Sequence, residues 1–405
     1  MVTACRKVLL VAAATQLAVT GCATPQRLPA VPQAQLAEAR PTIGPVRFLV
    51  TRESDSFAAE ARSLLAKEQK WLSSQGHTGN LPPAYFLAVS GGGDNGAYGA
   101  GFLNGWSASG TRPEFKVVTG ISTGALIAPF AFLGPKYDYV LRRVYTETSQ
   151  KDIFKKRGVV KGIFGDAMAD TRPLASVISS YVNRALLDEI AAEYAKGRVL
   201  LVGTANLDSL EPVIWNMTAI ASSQDPNATQ LFANVLLASA SIPGAFPPVM
   251  IDVNVGGTRY QEMHVDGGTM AQVFLYPPSL SLADAPPRKR ILYIIRNARL
   301  DADWASVERR TLSIATRAIA SLTRTQGIGD LYRIYATAQR DGLDFNLTYI
   351  PRTFDTPHTA EFDTVYMRSL FDVGFQAGKD ARGWQKYPPG FAAPNESVPA
   401  SAPGR

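Results

Sequence analysis

Five residues constrain this chain more than any others: Gly120-Ile121-Ser122-Thr123-Gly124, between an apolar run, Phe115 to Thr119, that reads as a strand and another, Thr123 to Leu133, that reads as a helix. A strand that turns at once into a helix around a serine holds that serine in a strained backbone conformation, its hydroxyl at the apex of the turn. Residues two before and two after such a serine pass so close to neighbouring chain that side chains would clash. Glycine at 120 and 124 avoids this. The pentapeptide therefore predicts strands that feed directly into helices, with Ser122 as candidate nucleophile.

The surrounding pattern agrees. Tyr85 to Val89, Phe115 to Val118, Val199 to Thr204, Val213 to Trp215 and Ile291 to Ile295 read as strands. Helical spacing covers Phe57 to Leu72 and residues 97–108, 123–133, 138–147, 172–195, 228–239, 303–325 and 364–377. Such alternation predicts an α/β fold, a sheet flanked by helices. With 405 residues, 46% of them hydrophobic, the chain can bury one large core or two modest ones.

Composition narrows the chemistry. The net charge of +7 draws the protein toward anionic surfaces. The absence of a zinc-ligand spacing, an RNA-binding aromatic motif or a dense Lys/Arg run speaks against a nucleic-acid partner. Both cysteines, Cys5 and Cys22, lie at the start, so the body holds no disulfide and no cysteine nucleophile. With His77, His264 and His358 as the three histidines, little material remains for a His-rich metal site or a His-based relay, and no cofactor is expected.

The first residues read as an export signal: Arg6 and Lys7 precede an apolar run from Val8 to Val19. Val19-Thr20-Gly21-Cys22 resembles the bacterial lipoprotein processing box, which implies removal of residues 1–21 and acylation of Cys22. Ala23 in place of Asp then implies a cell-envelope protein delivered to the outer membrane. The expected organisation is a proline-rich tether over 22–47, a helical extension over 48–80 and a catalytic domain over 81–300. A helical C-terminal part over 301–385 and a disordered tail over 386–405 complete it.

A serine hydroxyl needs a base to take its proton and donors to stabilise the oxyanion it creates. Ser90-Gly91-Gly92-Gly93-Asp94-Asn95-Gly96 lies between a strand and a helix, so successive glycine N–H groups can converge on one point. Gly91, Gly92 and Gly93 are the candidate oxyanion donors. His264-Val265-Asp266-Gly267-Gly268 sets a carboxylate before two glycines, in a turn that can approach Ser122. A carboxylate within reach of the serine can act as general base with no imidazole between them.

This ordered set of glycine loop, G-x-S-x-G elbow and late Asp-Gly-Gly resembles the patatin-like phospholipases. The segment from Ser239 through Ile242-Pro243-Gly244 to Pro247-Pro248 is similar to their serine-and-proline stretch. The resemblance covers roughly residues 83–296. It implies a three-layer α/β/α sandwich with a mostly parallel sheet and added C-terminal helices. It also implies a Ser122/Asp266 dyad, an oxyanion hole from Gly91 to Gly93 and acyl-ester hydrolysis of membrane lipids without metal. The chain departs from the family at Ser90, where Asp is usual, and at Asn95, where a cation is usual.

Softer signals remain. Asp94 is expected to cap the following helix at the surface, Ser241 to cap or turn, and Phe246-Pro247-Pro248 to form a rigid wall. Arg310, Arg317 and Arg324 recur every seven residues as a solvated or lipid-facing stripe. Lys151, Lys155, Lys156, Arg157 and Lys161 around Ile153, Phe154, Ile163 and Phe164 read as a surface loop, with a lid as the alternative. Competing functions are a Ser-acid-His hydrolase, for which His358 alone lies late enough, acyl transfer, and a catalytically silent lipid-binding lipoprotein.

Overall fold

The computed structural model describes residues 25–158, 165–302, 304–380 and 383–391. The expected leader over 1–21, Cys22, the basic-loop residues Lys161, Ile163 and Phe164, and the residues from 392 onward lie outside the described residues. In sheet order the strands run β1 (Arg40–Pro41), β9 (Val249–Val255), β10 (Thr258–Asp266), β7 (Val199–Asn206), β4 (Val117–Ile121), β3 (Ala84–Val89), β11 (Arg290–Arg296) and β12 (Leu343–Tyr349). β8 (Glu211–Asn216) pairs with β7 and carries β2 (Arg47–Leu49), while β5 (Lys155–Lys156) and β6 (Ala169–Asp170) form a separate ribbon. The pairings from β7 through β4, β3 and β11 to β12 are parallel, and antiparallel strands extend the other side. The fold is α/β with a mixed sheet whose centre is parallel.

Period-two alternation builds the layers. In β3, Leu87 and Val89 enter one core while Phe86 and Ala88 enter the other; in β7, Leu200 and Val202 oppose Val199 and Leu201. Helices α1 (Ser54–Ser74) and α8 (Thr311–Asp341) cover the second face through Phe57, Leu64, Leu331 and Ile334. The first face carries α2 (Gly96–Ala108), α3 (Thr123–Leu133), α4 (Asp138–Glu147), α5 (Arg172–Tyr181), α6 (Arg184–Ala195), α7 (Ala228–Ser239) and α9 (Thr364–Lys379). There α2 and α9 meet backbone to backbone: a side-chain carbon at Gly101 or Gly105 would collide with a carbonyl of α9, and one at Gly374 or Gly378 with a carbonyl of α2. Among the described residues no helix is long and apolar enough to cross a membrane.

Several expectations change. The helix expected over 172–195 is two, because the Asn183 side chain accepts the Leu186 N–H and caps a new start. The helix expected over 303–325 begins at Thr311 and runs to Asp341, where Gly342 at φ 66 ends it and starts β12. The C-terminal part is therefore not only helical, since it supplies an edge strand. The β9–β10 hairpin turns through Gly256 and Gly257, both at positive φ, a turn signal that the sequence contained. Residues 25–47, expected as a free tether, lie on the body: Arg40 and Pro41 pair with β9, and Val31, Leu36 and Ala39 pack on Val253 and Val255.

Arg47, at the end of that expected tether, anchors a buried polar chain under β10. Its guanidinium grips the Glu262 carboxylate, Glu262 meets His264 Nε2 at 3.1 Å, and His264 Nδ1 meets Thr204 Oγ1 at 2.9 Å. The ionised Glu262 carboxylate can only accept, so in a neutral ring the Nε2–H donates to it and Nδ1 accepts from the Thr204 hydroxyl, whose oxygen also accepts from Trp215 Nε1 at 2.8 Å. Burial disfavours the charged imidazole and lowers the His264 pKa, consistent with a neutral ring. For Glu262, burial acts to raise the pKa, but the His264 and Arg47 hydrogen bonds prevail and bring it down to about 2. Replacing Arg47 alone strands this carboxylate. Arg47→Leu is expected to cost about 3–5 kcal/mol in urea unfolding, and Arg47→Leu/Glu262→Leu to recover most of it. Equal losses in both would show that packing, not the stranded charge, is responsible.

Candidate active site

The elbow forms as its glycines require. Ser122 sits at φ 55, ψ −128, a left-handed conformation rare for a residue with a side chain. A side-chain carbon at Gly120 would collide with the Gly124 backbone, and one at Gly124 with the Val89 carbonyl. The Ser122 N–H donates to Ser239 Oγ at 3.0 Å, and that hydroxyl donates to the Gly203 carbonyl at 2.7 Å. Ser239 thus ties the elbow to β7, a part not foreseen for it individually.

Register brings the carboxylate to the serine. β8 pairs with β7 over Leu201 to Asn206 and occupies one of its edges, so β4 and β10 both lie along the other. β4 pairs as far as Ile121↔Gly203, and β10 arrives antiparallel to end at Asp266↔Thr204. The end of one strand abuts the end of the other. Asp266, the last residue of β10, and Ser122, directly after β4, are brought side by side, close enough for the Ser122 side chain to act on the Asp266 carboxyl and lower its pKa. Both are buried, and Gly268 N–H donates to Asp266 Oδ1 at 2.7 Å.

The glycine loop approaches from β3. A side-chain carbon at Gly91 would lie 3.2 Å from Ser122 Cβ. Of the three expected donors, Gly91 is committed, because its N–H donates to the Gln272 carbonyl at 3.0 Å. Gly92 and Gly93 follow at φ 154 and 58, before the turn into α2. Asn297, at the end of β11, pins the loop: its Nδ2 donates to Ser90 O at 2.9 Å, its N–H to Ser90 Oγ at 2.8 Å, and its Oδ1 accepts the Gly99 N–H at 3.0 Å. An asparagine directly after an apolar strand was the available signal for it.

Other expected roles shift. Asp94 is buried instead of capping at the surface, and its Oδ2 accepts from His358 Nε2 at 2.7 Å and from the Phe362 N–H at 2.8 Å. His358 is thereby engaged on the glycine loop, so a Ser-His-Asp relay through it is not built. Asn95, where the family carries a cation, accepts from the Tyr366 hydroxyl at 2.6 Å and ties the loop to α9. Ser241 bonds the Leu237 carbonyl, a local turn contact, and its own carbonyl holds Asp266 N–H at 2.9 Å. Phe246 is buried, with its ring 5.4 Å from that of Phe154, which in turn meets Phe362 at 6.2 Å. Ile153 and Phe154 therefore belong to the core, and Lys155 and Lys156 to the small ribbon.

Residues 87–277, just under half of the chain, match the family described as patatin-like phospholipase. Over that span the chain is similar to the family. The matched span holds the elbow, the glycine loop and Asp266-Gly267-Gly268, and leaves out the arm of the sheet made by β11 and β12. No curated protein matches the chain. Among solved structures, VipD from Legionella pneumophila aligns at 13% identity and TM-score 0.32, over 74% of this chain and 67% of its own. Human GIVD cytosolic phospholipase A2 aligns at 10% and 0.34 over 84% and 65%. Pseudomonas aeruginosa ExoU in complex with SpcU aligns at 11% and 0.32, and the chain spans only 52% of its length. Likenesses this distant add nothing to what the patatin-like match and the geometry carry.

Burial raises the Asp266 pKa from 3.8 to about 6, against the opposing hydrogen bonds from Ser122 and Gly268. The ionised carboxylate is penalised only in the folded protein. The cost sets in as pH rises from about 4 through about 6, and above that it is constant at about 3 kcal/mol. Asp266→Asn is therefore expected to stabilise the protein at pH 8 by up to about 3 kcal/mol, with most of that gain gone by about pH 4. Unfolding in urea at the two pH values measures it. A gain independent of pH would place its origin elsewhere than in the buried charge.

Proposed function

We propose that this protein hydrolyses acyl esters of lipids, with Ser122 as nucleophile and Asp266 as its base. What supports the reading is the meeting of two strand ends that sets the buried Asp266 carboxyl beside the elbow serine, with the pKa of the acid lifted toward neutrality. In the first half-reaction Ser122 Oγ adds to the acyl carbonyl while its proton passes to Asp266. The resulting oxyanion lies against the amides of Gly92 and Gly93. Collapse expels the alcohol, which takes the proton back from Asp266 and leaves an acyl-serine. Water then adds in the same way, its proton moving to Asp266, and the fatty acid leaves as the serine is restored.

The strained elbow supports this role, since a left-handed serine persists only where the surrounding structure enforces it. We further propose that Cys22 carries acyl chains and anchors the protein in the bacterial envelope, at the outer membrane. One acyl chain binds a bilayer only marginally, so two or more on one residue are needed for a stable anchor. Anchoring concentrates the enzyme at its substrate.

Incubation with a mixed phospholipid extract is expected to release free fatty acid and lysolipid, detected by mass spectrometry, and Ser122→Ala to abolish this along with labelling by a fluorophosphonate probe. Equal product from both chains would end the reading. The base must be ionised, so kcat/KM is expected to rise with pH through an apparent pKa near 6, with Asp266→Asn inactive throughout. Cys22→Ala is expected to move the protein from the membrane fraction to the soluble one. Labelled fatty acid is expected to be incorporated into the native chain and not into Cys22→Ala, and equal incorporation would count against acylation at Cys22.

A further inference from the structure

The first half of α8 is a surface that the fold leaves uncovered. Ile314, Ile319 and Leu322 are 53%, 62% and 71% exposed there, and Trp304, shortly before the helix, is 90% exposed. The second half of the same helix behaves oppositely and buries Leu331, Ile334 and Ala338 against the sheet. At 3.6 residues per turn, Ile314, Ala318, Leu322, Ala315 and Ile319 fall within one arc of about 140°. A stripe of that width ordinarily faces a core. Here it faces away from one.

Charge tells what can cover it. From 304 to 329 the chain carries Arg309, Arg310, Arg317 and Arg324 against a single acid, Glu308. Arg310, Arg317 and Arg324 fall along one border of the apolar arc, where Arg310 pairs with Glu308 and the Arg324 guanidinium donates to the Leu300 and Asp301 carbonyls, so they contribute net positive charge to this end of the helix. A second copy docked face to face would bring two such borders into one interface with almost no acid to meet them. An anionic bilayer surface offers apolar chains beneath a layer of phosphates, which matches an apolar arc edged by arginine.

Position tells why it matters. The arm grows from the candidate site: Gln326 Oε1 accepts from Gln272 Nε2 at 3.3 Å, and that same amide donates to the Gly268 carbonyl at 2.7 Å, two residues after Asp266. Asp330, one turn further, accepts the Gln272 N–H at 2.6 Å. We propose that residues 311–325 form an interfacial helix that lies in the headgroup layer of an anionic bilayer, its apolar arc inserted and the net positive charge of the segment drawn to the phosphate layer. This holds the elbow and Asp266 against the membrane surface, where a lipid ester can enter. The choice of a bilayer as occupant rests in part on the acyl-hydrolase reading.

The test uses the full chain carrying Ser122→Ala, so that vesicles stay intact, and reads backbone hydrogen–deuterium exchange over 311–325. Vesicles of phosphatidylcholine and phosphatidylglycerol in equal parts are expected to slow exchange there by about fivefold or more, and phosphatidylcholine alone by clearly less. Unchanged exchange overturns the proposal. So does slowing that follows protein concentration without vesicles, which would assign the face to a second copy. In the active chain, Ile314→Ser/Ile319→Ser/Leu322→Ser is expected to keep hydrolysis of a monomeric short-chain ester within about twofold while vesicle hydrolysis falls about tenfold or more. Equal loss on both substrates overturns it as well. If the native chain cleaves no ester, the hydrolase reading falls, and exchange over 311–325 still decides this one.

Discussion

One edge of β7 serves two strands, and the candidate site depends on it. β4 runs parallel along that edge and stops at Gly203; β10 comes from the opposite direction and stops at Thr204. A residue's shift in either register would turn Ser122 or Asp266 toward the other face of the sheet, because side chains alternate with a period of two. Gly203 and Gly267 make the junction possible: a side-chain carbon at Gly267 would press on the Gly203 carbonyl, and one at Gly203 on Ile121. The meeting of two strand ends thus needs small residues at the point where it happens.

Around this junction, each strained or costly group has a dedicated support. The left-handed Ser122 is held by the Ser239 hydroxyl through its N–H, and Ser239 is itself held by Gly203. The glycine loop is held by Asn297 from one strand end and by Tyr366 and His358 from beyond the last strand. Beneath Asp266, the chain from Arg47 through Glu262 and His264 to Thr204 locks β10 to β7. Burial that would destabilise a lone carboxylate here raises the pKa of a group proposed to work as a base, so the feature unfavourable for folding is the one that suits it to proton transfer.

The parallel centre and most helices were legible because their signals are local. Residues 138–147 and 228–239 form helices over the expected spans, and the elbow is marked by glycines whose absence of side chain the fold then requires. Ser122, Asp266 and the glycine loop were likewise visible as short motifs. What failed was whatever depended on a distant partner. A proline-bearing segment from 25 to 47 looks unstructured until Val253 and Val255 offer it a surface. Asp94 looks like a cap until the chain 264 residues later brings His358 to it. Gly91 looks like a donor until Gln272 accepts its N–H.

By itself, then, the sequence determined the α/β class, the strained serine turn and the carboxylate before two glycines, since each is written in side-chain size and periodicity over a few residues. Only the tertiary structure decided that the elbow after β4 and the end of β10 meet along one edge of β7, that the Gly91 amide is committed to Gln272, where His358 is engaged, and that the first half of α8 is left bare. Those are matters of register and of contact between segments far apart in the chain, and no local pattern encodes the distance at which two strand ends will meet.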